Sequence, residues 1–208
     1  MAACTNSAAP TSPSRLVTQQ IPLACADQAT QKKVVSLISA WREQMNEQIA
    51  DARETKNNSP SPTAIDDFMA AKKTGKDYLD VLSYMEGSIK SPKGAVLITL
   101  TSQADPAEGL SNQVEGLCVS TLGRRSPGER YIDGMASAPK NVSINTTGAS
   151  GCKDQRTPGV GAALFHSLTD ELQGDATLAT TPLASAFGFY QKMGMEFDPK
   201  KQEFQTRK

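Results

Sequence analysis

The chain has 208 residues, 22 basic and 22 acidic groups, and a formal net charge of zero. That length sets the expectation of one domain with an added helical layer, and the balanced charge argues against nucleic acid, because phosphate-backbone binding draws on a basic surplus or stripe. No run of about 18 apolar residues occurs, so neither a transmembrane helix nor a membrane partner is expected.

The opening residues, MAACTNSAAPTSPSRL, have no basic start and no apolar stretch, so they do not form a conventional secretory signal. Residues 1–13 read as a disordered leader rich in Ser, Thr, Ala and Pro, or alternatively as an address for a dedicated secretion system. Residues 14–208 read as a single domain. The cysteines, Cys4, Cys25, Cys118 and Cys152, contain no CxxC pair. Neither a zinc site nor a disulfide framework is supported, no metal is expected, and a reduced, cytoplasmic setting fits.

SRLVTQQIPL (14–23) predicts a short strand. Over 27–54, Val34, Val35, Leu37, Ile38, Trp41, Met45 and Ile49 recur in steps of three, four and seven, which marks one face of a helix. NNSPSPT (57–63) ends it, because the prolines remove amide donors and push the preceding residues out of helical geometry. Thr63, followed by Asp66 and Asp67, reads as the N-cap of a second helix over 64–85, interrupted at Gly75. GAVLITL (94–100), QVEGLCVSTL (113–122) and RYIDGMASA (130–138) read as strands. Their Gly-, Pro-, Asp- and Ser-rich connections predict antiparallel neighbours. KNVSINTTGASGCKD (140–154) has little apolar content and reads as a long loop, in which the glycosylation sequons at Asn141 and Asn145 are taken as chance. Then come a helix (159–173), a short strand (176–181), a helix (184–193) stopped by Gly194, and a closing hairpin from MEF and EFQT. The fold class is α/β of the α+β type: a mixed, mostly antiparallel central sheet flanked by helices.

QRTPGVGAALF (155–165) places two glycines at the start of a helix. Amides at a helix N-terminus are unpaired and lie at the positive end of its dipole, so a glycine turn there suits a phosphate or pyrophosphate, with Lys153 and Arg156 adding charge. Other phosphate motifs fit worse. GRRSPGER (123–130) has P-loop spacing, but Glu129 stands where the lysine belongs, and a hairpin turn fits better. No GxGxxG with a following acidic ribose ligand occurs, which argues against a dinucleotide fold.

Three stretches in order carry more meaning than any one. YIDGMASAPKN (131–141) precedes the R-x-x-G-x-G run of 156–161, and AFGFYQKMGMEF (186–197) follows it. Together they resemble the GCN5-related N-acetyltransferase family, GNAT, over about residues 94–197. The family reads Y-L-E-x-L-A-V-x-P, [R/Q]-x-x-G-x-[G/A] and A-x-x-F-Y-x-K-x-G-F at these places. The resemblance implies a GNAT fold and acetyl-CoA as co-substrate. It implies that the backbone from Arg156 through Thr157, Pro158, Gly159, Val160 and Gly161 to Ala162 cradles the pyrophosphate. Met135, Ala136 and Ser137 would pair with the pantetheine arm like an added strand, one amide polarising the thioester carbonyl. Tyr190 would protonate the leaving thiolate.

The base stays open between Asp133, placed by a period of two on the face of Tyr131 and Met135, and Glu115 on the neighbouring strand. His166 is expected at a helix surface. Cys118 and Cys152 lack a histidine partner in reach by sequence, which disfavours a thiol ping-pong route. Two departures stand out: residues 140–155 separate Pro139 from Arg156 where the family has only a few, and Ser137 replaces the usual Val.

The activity implied is direct transfer of acetyl from acetyl-CoA to a primary amine of a protein or small molecule, by a monomer or homodimer. The leader adds the reading of a bacterial effector acetylating a host protein. The alternative is a GNAT-fold module that binds CoA or a protein partner without catalysis.

Overall fold

The computed structural model describes residues 16–103, 114–123, 128–142, 157–172 and 176–206. The leader, Cys4, Cys152, Lys153, Arg156 and most of the 140–154 stretch lie outside the described residues. Strand β1 (Leu16–Pro22) leads through a short 3-10 turn to helices α1 (Gln28–Asn58) and α2 (Pro62–Lys90). Strands β2 (Ala95–Gln103), β3 (Val114–Leu122) and β4 (Glu129–Ser137) follow, then α3 (Val160–Asp170) and β5 (Thr177–Thr180). Helix α4 (Phe187–Lys192) and the hairpin β6 (Met195–Asp198) and β7 (Glu203–Thr206) close the chain.

The strands form a sheet in the order β1-β2-β3-β4-β5-β7-β6. Every pairing is antiparallel except β4 with β5, which is parallel. The mixed, mostly antiparallel sheet flanked by helices is therefore the expected fold class. Two apolar layers hold it. One joins Ile38, Trp41 and Met45 of α1 and Leu82 and Met85 of α2 to Ile98, Leu117 and Val119 of the sheet. The other joins Leu164 and Leu168 of α3 and Tyr190 of α4 to Cys118, Ile132, Leu178 and Phe204. Each large side chain buried in this way contributes about 1.5–3 kcal/mol.

Helix boundaries differ from the sequence expectation for identifiable reasons. Helix α1 is capped by Asp27, which accepts from the Thr30 amide at 2.6 Å. Helix α2 is capped by Ser61 and not Thr63: the Ser61 hydroxyl accepts from the Ala64 amide at 3.1 Å, and Pro62 fills the first helical position, where no amide partner is required. It runs unbroken through Gly75. That glycine lies under α1, where a Cβ would collide with the Ile49 side chain, so its smallness serves helix–helix approach. Arg42 and Glu86 pair at 2.8 Å between the two antiparallel helices. At the ends of GRRSPGER, β3 and β4 are antiparallel neighbours: the Gly123 amide donates to the Glu129 carbonyl at 2.9 Å, and Gly123 and Gly128 both have positive φ.

Strand β4 carries a bulge. Val119 pairs with Gly134 and Ser120 with Ile132, which leaves Asp133 as the extra residue. The bulge breaks the period of two. Ile132 and Met135 both pack into the α3–α4 layer, while Tyr131 and Asp133 line a cleft with α2. The expectation that Asp133 shares a face with Met135 is thereby corrected. The shared face with Tyr131 stands.

Candidate active site

β4 and β5 are paired only from Glu129–Tyr131 to Thr177–Ala179, although β4 continues to Ser137. Among the described residues no strand takes that edge beyond Tyr131. The Ala138 amide donates to the Glu115 carbonyl at 2.8 Å, and Ser137 sits opposite Gly116. By the alternation of an antiparallel ladder, Ser137 and Met135 then turn their backbone groups to the open edge, while those of Ala136 face Leu117. Of the three residues expected to pair with a pantetheine arm, two expose their backbone there. Ala136 instead supplies a buried methyl to the α1–α2 layer. The Tyr78 hydroxyl donates to the Ser137 carbonyl at 2.7 Å, and burial pushes its phenol well above the ordinary value, which keeps it a donor.

At one end of this edge stands α3. Gly159 has φ of 80°, the left-handed region glycine occupies without strain, and a Cβ there would meet nothing within 4 Å. The first bond of the helix runs from the Ala163 amide to the Gly159 carbonyl. The amides of Val160, Gly161 and Ala162 consequently have no intrahelical acceptor. Ahead of the helix, the Thr157 amide donates to Asn141 Oδ1 at 2.8 Å, and Pro158 has no amide hydrogen, so neither offers an amide to a ligand. Gly161 is small for another reason, since a Cβ there would press on Phe189 of α4 at 3.1 Å.

Tyr190 is 5% exposed, packed edge-on against Phe189 and at a tilt against Phe204. Burial raises its phenol pKa far above the usual tyrosine value. The neighbouring Cys118 adds to the shift, and a hydrogen bond with Thr180 opposes it. Thr180 in turn donates to the Ile132 carbonyl at 3.3 Å, at the point where β4 and β5 part. Tyr190 therefore sits beneath the fork.

On the α2 side the fork opens into a cleft of about 540 Å³, lined among others by Tyr84, Ser88, Lys93, Tyr131, Asp133 and Thr181. Asp133 Oδ2 accepts from the Thr121 hydroxyl. The Tyr131 hydroxyl accepts from the Thr181 amide at 3.0 Å and lies 2.8 Å from its hydroxyl, which ties the wall of the cleft to the end of β5. The Cys118 thiol is pushed up chiefly by burial, with Asp133 adding to it and Arg130 opposing. A thiol so held protonated is a poor nucleophile.

Glu115 lies elsewhere. It is 1% exposed, with Oε1 accepting from Lys140 Nζ at 2.6 Å and Oε2 from Asn141 Nδ2 at 2.8 Å. His166 is exposed on α3 with its ring at the edge of Phe165, as expected. Tyr78, Thr121, Asn141 and Thr180 had no sequence signal, because each acts through a partner 12 or more residues away. Among the described residues no group of three His, Cys, Asp or Glu could hold a metal, and no helix is long and apolar enough to cross a membrane.

No family model and no curated protein matches the chain. Among solved structures it is similar to a Desulfovibrio desulfuricans protein provisionally assigned to the GNAT acetyltransferases. The identity is 11% and the TM-score 0.43, with 93% of this chain and 99% of that one covered.

Proposed function

We propose that the chain is an N-acetyltransferase of the GNAT type, moving an acetyl group from acetyl-CoA to a primary amine in a ternary complex. One observation carries the reading. The edge of β4 at Met135 and Ser137, which no strand among the described residues takes, runs between the amide-bearing start of α3 and a cleft holding Asp133, with Tyr190 beneath. Element order and the diverging β4–β5 pair agree with the arrangement the sequence resemblance implies.

Acetyl-CoA supplies the acetyl group as an activated thioester. The amides of Val160, Gly161 and Ala162 hold its pyrophosphate, with glycine at 159 leaving the approach clear. The Met135 backbone and the Ser137 amide hold the extended arm as an added strand, the Ser137 carbonyl being taken by Tyr78. Asp133 takes a proton from the amine, directly or through one water, as the N–C bond forms and the C–S bond breaks. Tyr190, kept neutral by burial, donates a hydrogen bond to the charge building on sulfur. Its raised pKa makes complete proton transfer to an ordinary thiolate uphill, so stabilisation of that charge is its main contribution. The acceptor is an amine of a protein or small molecule.

The test has two stages. Calorimetry with acetyl-CoA comes first, and absence of binding removes the reading. Thiol release from acetyl-CoA over a panel of amines and peptides comes second. Binding with no turnover on any of them would assign the catalytically inactive CoA-binding module instead.

A further inference from the structure

We propose that Glu115 is a positioning residue for the acetyl-CoA cradle, acting through Asn141, and not a proton acceptor; this rests on the acetyltransferase reading above. The chain leaves β4 at Ala138, whose amide is held by the Glu115 carbonyl, and makes one 3-10 turn at Pro139–Asn141. Asn141 then works in both directions. Its Nδ2 donates to Glu115 Oε2 at 2.8 Å, and its Oδ1 accepts from the Thr157 amide at 2.8 Å. Glu115 Oε1 is occupied by Lys140 at 2.6 Å, and the Lys140 side chain is 49% exposed.

These bonds join the exit of β4 to the entry of α3 across a long connection. Closing a long connection costs entropy, and a pin at both ends makes its length immaterial to what lies beyond. Thr157 stands two residues before Gly159, so holding its amide sets the direction in which Pro158 and Gly159 enter α3 and orients the amides of Val160 to Ala162. A buried carboxylate persists only when its oxygens are satisfied, and here both partners come from the turn being held. Asparagine suits position 141 because it donates at one end and accepts at the other. Glu115 is not among the residues lining the cleft around Asp133.

The experiment exchanges donor and acceptor in the full-length chain. In Asn141→Asp the new carboxylate faces Glu115, and acetyl-CoA binding should weaken about tenfold by calorimetry, with the amine KM within about twofold of wild type. In the double variant Glu115→Gln/Asn141→Asp, the amide at 115 donates to the carboxylate at 141, which still accepts from Thr157. Acetyl-CoA affinity and kcat should both return to within about threefold of wild type. Wild-type binding by Asn141→Asp, or failure of a folded double variant to recover it, overturns the proposal. Recovered binding with no turnover also overturns it, since it makes Glu115 the base.

Amide hydrogen exchange at Thr157 gives a readout independent of the ligand. Asn141→Ala should speed it about tenfold or more, and unchanged exchange would remove the clamp itself. If wild type does not bind acetyl-CoA while Thr157 exchange responds as stated, the acetyltransferase reading fails and the clamp survives without its ligand.

Discussion

The Tyr78 hydroxyl on α2 donates to the Ser137 carbonyl on β4 at 2.7 Å, across 59 residues of chain. It caps one group on the edge that, among the described residues, no strand takes. Tyr78→Phe leaves that carbonyl without its donor, and we expect about 1–2 kcal/mol lower unfolding free energy in denaturant titrations.

Tyr78 and Tyr190 also predict a pH dependence. Burial raises both phenols above the ordinary value of 10.0 in the folded state. Their contribution is therefore fully present below about pH 10 and is lost as pH rises above it, when the unfolded state ionises first. Each should steepen the decline by about 1.4 kcal/mol per pH unit. Unfolding titrations between pH 9 and 11 should show Tyr78→Phe falling less steeply than wild type. Equal slopes would show that the Tyr78 phenol ionises alike in both states.

Tyr190→Phe keeps the aromatic contacts with Phe189 and Phe204 and removes the hydroxyl under the fork. Turnover should fall about 10- to 100-fold, with acetyl-CoA affinity nearly unchanged. A fall in affinity with kcat preserved would give the hydroxyl a binding role instead.

Asp133→Asn preserves shape and an acceptor for the Thr121 hydroxyl but cannot take a proton. The expected result is loss of about two orders of magnitude in kcat, with acetyl-CoA binding intact. Full activity would move the base to another group.

Gly159→Asp and Gly159→Asn form a pair. Both put a side chain at φ of 80°, which costs about 1 kcal/mol, and the Cβ they share meets no neighbour within 4 Å. Only the aspartate adds charge where a pyrophosphate would approach. Acetyl-CoA affinity should drop at least tenfold further for Asp than for Asn, with similar melting temperatures. Equal affinities would place the anion elsewhere.

Gly134→Ala tests how closely α2 lies on the bulge. The new Cβ would fall 2.5 Å from Met85 Cγ and 3.2 Å from the Val81 carbonyl oxygen. We expect about 1–3 kcal/mol of destabilisation from overpacking. A neutral result would show that the helix can move away.

Element types and their order were legible because each rests on short-range patterns. The apolar steps from Val34 to Ile49 predicted α1, alternating and apolar runs predicted the strands, and Gly194 ended α4. The glycine turn before α3 and the motif around Tyr190 were legible too, since both are written in contiguous residues. Cap position was less legible, because Ser61 and Thr63 are both good caps and Pro62 between them decides. The face of Met135 was not legible at all. A bulge at Asp133 is a disagreement in register between two strands, and neither strand encodes it alone. Glu115 shows the same limit. As a sequence it is an acid on a strand, equal to Asp133. Only the fold brings Lys140 and Asn141 onto its two oxygens and leaves Asp133 to face the cleft. The sequence by itself determined which segments become helix or strand and where an anion-holding turn lies, because those follow from periodicity and local backbone freedom. The tertiary structure alone decided which carboxylate lies on the cleft and which is turned to the Lys140–Asn141 turn, because both depend on contacts between residues far apart in the chain.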